Sequence, residues 1–116
     1  MPSQADLKVA RRYHASLREL FARYAADGAN PRALRNLVAL CRAASETLTD
    51  DYCRSKIRSV EEFGARLFTD GGHDFQRQLA LNALELLESR LYSLGLLLQA
   101  RARELRGGAA QASLPL

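Results

Sequence analysis

The chain has 116 residues and a mass of 12.9 kDa, enough for one hydrophobic core and too little for two ordinary domains. Leu (21) and Ala (19) dominate while Val, Ile and Thr together fill seven positions, a balance that favours helix and argues against a sheet. A net charge of +4, from 17 basic and 13 acidic residues, is ordinary for solubility and excludes a polybasic character, leaving nucleic acid, anionic lipid or an acidic protein as permitted partners.

Ser3, with Asp6 three residues on, forms a capping pattern that starts a first helix running to about Ala26. Leu7, Ala10, Leu17, Leu20, Phe21 and Tyr24 recur along its apolar side, and Asp27 and Gly28 end it. Asn30 followed by Pro31 marks the clearest boundary. Asn accepts a bond from an unpaired amide, and Pro is pre-set for the first helical position.

From Leu34 to Phe68 apolar residues return at near-helical spacing, which as one element would be about 57 Å long. Two local signals divide such a helix: the Thr49, Asp50, Asp51 cluster and the Ser59 to Glu62 capping pattern ahead of Phe63. The spacing also slips near Tyr52 and Ile57, where a kink is allowed. Thr69 to His73, with Gly71 and Gly72, form the best turn, and Asp74 is placed to cap a last helix about 50 Å long that Gly107 and Gly108 stop after Arg106.

The fold class that follows is all-α: an antiparallel helical bundle of three long helices, or of four if the middle helix is broken. Residues 1–106 form the single domain, and residues 107–116, small and uncharged, read as a flexible tail. Gly64 and Gly95 fall inside helices, where glycine is costly unless it permits close packing or a bend; Gly95, between Leu94 and Leu96, is the better candidate for a tight contact.

Residues that carry chemistry are sparse. His14 and His73 have no zinc-site spacing to Cys41 or Cys53, and Glu85 and Glu88 lack the Glu-x-x-His pairing of a di-iron bundle. His14 is expected at a helix edge and His73 in the turn. Cys41 and Cys53 are 12 positions apart, about 18 Å along a continuous helix, so they read as reduced thiols, with Cys41 packed inertly beside Val38 and Ala44. Gly71 and Gly72 lack the spacing of a phosphate-binding loop. The expectation is a protein that is not an enzyme, with no metal and no cofactor. No apolar export segment opens the chain, and the run from Leu91 to Leu98 is too short to cross a bilayer, so the expectation is a cytoplasmic protein with no membrane insertion.

The last helix carries leucine around more than one narrow face, more than two neighbouring helices cover. The functional expectation is therefore a protein–protein interaction module, an adaptor, scaffold or chaperone-like coiled-coil bundle that pairs with itself as a homodimer or with a partner helix. Leu91, Leu94, Leu98, Ala102 and Leu105 form its seam, with Tyr92 at the edge. The alternative is DNA or RNA binding through an arginine-rich front half, where Lys8, Arg11, Arg12 and Arg18 on the first helix and Arg35 and Arg42 on the second contact phosphates if the two rows face outward together.

Overall fold

The computed structural model describes residues 3–70 and 74–113, with side chains described through residue 106 except at 27. Four α-helices make an up-and-down antiparallel bundle: α1 (Gln4–Tyr24), α2 (Pro31–Thr47), α3 (Asp51–Asp70) and α4 (Asp74–Ser113). Each helix packs on the next, and α4 closes the ring against α1.

The helix ends follow from local chemistry. At α1 the Ser3 Oγ accepts the Asp6 amide and the Asp6 carboxylate accepts the Ser3 amide, both at 3.1 Å. A single 3-10 turn (Ala25–Asp27) follows α1, and Gly28 reverses the chain at φ 79°, a left-handed value that a side chain would resist. Asn30 then caps α2, its Oδ1 accepting the Ala33 amide at 3.1 Å with Pro31 at the first helical position. The Asn30 amide itself donates to the Phe68 carbonyl at 2.8 Å, fastening the start of α2 to the end of α3.

The middle of the chain is broken, which selects the four-helix arrangement. Leu48 leaves helical geometry and is buried, and Asp50 starts α3 by accepting the Cys53 amide on its side chain and the Arg54 amide on its carbonyl. The Thr49 to Asp51 cluster is thus the real boundary. Ser59 starts nothing: it lies within α3, its hydroxyl donating back to the Ser55 carbonyl. At its far end α4 does not stop at Gly107 and Gly108 but continues to Ser113. His73 lies outside the described residues.

All four helices contribute to one core, with Leu7, Leu17, Leu37, Ile57, Leu67, Phe68, Leu84 and Leu91 among its largest buried side chains. Phe21 and Phe68 stack at 5.6 Å between ring centroids. Gly64 lies where α3 passes beside them: a methyl group there would stand 2.7 Å from Leu37 Cδ2 and 2.8 Å from Phe21 Cζ. The tightest glycine contact is therefore at Gly64. At Gly95 the same atom would meet the end of the Arg11 side chain, which is exposed and free to turn away.

Candidate protein-interaction surface

Helix α4 has 40 residues, about 60 Å at helical rise, and is roughly twice as long as α1 or α3. The molecule accordingly measures 68 × 22 × 21 Å, and its radius of gyration of 18.1 Å exceeds the value of about 13 Å usual for a compact domain of this length. Because α1 runs antiparallel to α4, the beginning of α1 sets how far the cover reaches. Leu7 and Arg11 lie against Gly95, and past Leu98 the helix projects on its own.

The buried stripe of α4 does not end where the cover ends. Leu84, Leu87, Leu91, Leu94, Leu98, Ala102 and Leu105 share one face at helical spacing. Leu94 is 2 % exposed, Leu98 and Ala102 are half-buried, and Leu105 is 72 % exposed. Two more turns of core-type face thus emerge into water, with Arg101 on one flank and Arg106 on the other.

This geometry divides the residues of the sequence-derived seam. Leu91 and Leu94 are core residues, each 2 % exposed, so they are closed to a partner; the 21 residues of α1 and the 20 of α3, laid antiparallel from the start of α4, cover it about that far. Ala102 and Leu105 lie on the projecting part, and Leu98, still packed against the core, stands at its start. Tyr92 is exposed but stands about 110° around the helix from them, over a groove shared with Arg11, His14, Ala15, Arg18, Glu88 and Leu91.

The arginines of the front half are exposed, but two rows do not form one field. Arg11 and Arg18 sit on the side of α1 that meets α4, where Arg18 is 3.7 Å from Glu88. Arg35 and Arg42 point roughly opposite the buried Leu37 and Cys41 of α2, while α2 itself flanks the other side of α1. Lys8 is exposed one turn before Arg11 and about 60° around from it, and Arg12 is exposed on the outer side of α1.

Two polar groups inside the bundle, His14 and Asp50, are committed to structure, while the Gln76 Oε1 is buried without a hydrogen-bond partner. His14 is buried rather than at an edge, and its Nε2–H donates to the Leu84 carbonyl at 2.8 Å, tying α1 to α4. Arg90 on α4 makes a two-pronged pair with Asp50, at 2.8 and 3.2 Å. The Arg90 bond, helped by the Cys53 amide, holds the Asp50 carboxyl down at about 2 despite partial burial. Cys41 and Cys53 are free and buried. Burial pushes both thiols up to about 12, with Glu61 adding to the effect at Cys41 and Asp50 at Cys53, the reverse of what a nucleophile needs. Among the described residues no three of His, Cys, Asp and Glu gather as metal ligands, and no helix is long and apolar enough to cross a membrane.

No protein-family model matches the chain, and no curated protein or solved structure is significantly similar to it.

Proposed function

We propose that the protein is a non-enzymatic interaction module of the cytoplasm, an adaptor, scaffold or chaperone-like bundle whose projecting α4 seam takes up an amphipathic helix of a partner protein. The observation that supports this reading is the continuation of the core stripe through Leu98 and Ala102 to Leu105 beyond the reach of α1. A bundle that ended its last helix at Leu98 would hide its leucines more completely. Instead, a leucine of the core-facing register is left in water, a position that a partner helix fills by the same packing that closes the bundle. Arg101 and Arg106 on the two flanks select a partner whose apolar stripe is bordered by carboxylates.

The test is a fluorescence anisotropy titration of a labelled amphipathic Leu/Glu helical peptide, with its Leu/Lys counterpart as control. Saturable binding of the acidic peptide alone is expected, and it is lost in Leu105→Asp. Equal binding of both peptides, or binding untouched by Leu105→Asp, contradicts it.

A further inference from the structure

The opposite side of α4 carries a second unusual surface, and it goes beyond the seam. Phe75, Leu79, Asn82, Leu86, Ser89, Ser93, Leu96 and Ala100 follow one another at alternating steps of four and three residues, so they form one row. The row is turned roughly 160° from the seam, and its middle, Leu86, Ser89 and Ser93, borders an open groove shared with Tyr52 of α3. Phe75 is mostly exposed, and Leu86, Leu96 and the adjoining Leu97 are each about half exposed. No charged residue interrupts the row from Phe75 to Ala100, about 37 Å of helix. The other helices turn charge to water, as a solvated helix normally does: Lys8 and Arg12 on α1, Arg35 and Arg42 on α2, Arg58 and Glu62 on α3.

We propose that this outward row joins two copies of the chain antiparallel, about a two-fold axis level with Leu91. A two-fold interface must be self-complementary, because one patch meets itself. The central part of the row has that property: about position 91, Leu86 falls opposite Leu96 of the second copy, Ser89 opposite Ser93, and Asn82 opposite Ala100, while Leu79 falls opposite Arg103 at the rim and Phe75 lies outside the contact. Leucine packs on leucine towards each end of the central segment, and the paired serines at the middle let the helices approach closely. Arg90, the one cation near the axis, is already paired with Asp50 at 2.8 Å, so the two copies do not bring free like charges together.

Residues 76–106 overlap fully in this register, a contact about 46 Å long and one helix wide, which covers roughly 1,000 Å² in total. That is the low end for a specific interface, so the dimer dissociates on dilution. The seam at Leu98, Ala102 and Leu105 faces the other way and stays open in it.

Sedimentation velocity across a dilution series from millimolar to sub-micromolar tests the proposal. The wild type is expected to pass from dimer to monomer. Ser93→Arg, an exposed change that leaves the core untouched, is expected to weaken the dimer by about a hundredfold, while Leu105→Asp leaves it unchanged. Orientation is read by mixing Ser89→Cys protein with Ser93→Cys protein under mild oxidation; the mixed disulfide should dominate over either self-disulfide, with the buried Cys41 and Cys53 silent. A wild type monomeric throughout, a dimer indifferent to Ser93→Arg, or preferred self-disulfides would each overturn the proposal. Because Leu105→Asp removes peptide binding and Ser93→Arg removes self-association, failure of one reading is separable from failure of the other.

Discussion

Arg90 and Asp50 are 40 residues apart in sequence, yet the guanidinium of one meets the carboxylate of the other at 2.8 and 3.2 Å. The same carboxylate caps α3 through the Cys53 amide. One side chain therefore breaks the middle of the chain into two helices and ties the break to α4. Asp50→Asn keeps an oxygen for the Cys53 amide and loses the ion pair, whereas Asp50→Ala loses both. Chemical denaturation should show Asp50→Ala costing about 1–2 kcal/mol more than Asp50→Asn, the usual scale of a lost helix cap. Equal losses would show that the cap contributes nothing.

The pair also sets a pH dependence. The Asp50 carboxyl titrates at about 2 when folded, below its ordinary value of 3.8, so folding favours the ionised form. Its contribution is fully present above the ordinary value and is lost as pH falls through about 2. The stability difference between the wild type and Asp50→Asn, measured by urea unfolding, should be constant near neutrality and shrink between about pH 4 and pH 2. A difference that stayed constant down to pH 2 would contradict the folded value.

Two helical glycines should respond with opposite signs. Gly64→Ala forces a methyl against Leu37 and Phe21 and is expected to cost about 1–3 kcal/mol, the scale of an overpacked core. Leu37→Val in the same chain should recover part of that loss. Gly95→Ala meets only the mobile end of Arg11 and should stabilise by about 0.5–1 kcal/mol through helix propensity. Thermal unfolding of the two variants checks both signs.

Leu94 and Leu105 lie on the same face of α4 but have different fates. Leu94→Ala should cost about 2–5 kcal/mol, as a buried truncation does, and Leu105→Ala close to nothing. Similar losses at both positions would mean that the bundle covers Leu105 as well.

The thiols should be silent in the folded protein. With both pushed up to about 12 and buried, Cys41 and Cys53 should react with a maleimide at pH 8 only as fast as the chain unfolds. A rapid, stoichiometric reaction without denaturant would contradict their placement.

Much of the fold was legible because it rests on local chemistry. Ser3 with Asp6, and Asn30 with Pro31, announce helix starts through groups a few residues apart. Asp50 was visible as one member of a dividing cluster, but its partner Arg90 was not, since no local pattern relates positions 40 residues apart. The interaction surface was half legible for the same kind of reason. Leucine spacing places Leu91, Leu94, Leu98 and Leu105 on a common face, yet which of them meets water depends on how far α1 extends along α4. That register is fixed by tertiary contacts such as Leu7 and Arg11 beside Gly95. The glycines reversed in rank because Gly64 is hemmed in by Leu37 and Phe21, which come from two other helices.

The central claim is that α4 carries an uncovered seam ready for a partner helix, and backbone hydrogen exchange over residues 99–106 tests it most directly. In the protein alone these amides should exchange far faster than those around Leu87 and Leu91, because no second helix packs on them. Saturating acidic Leu/Glu peptide should slow them markedly, and should fail to do so in Leu105→Asp. Core-like protection in the protein alone, or exchange unchanged by the peptide, would contradict the account.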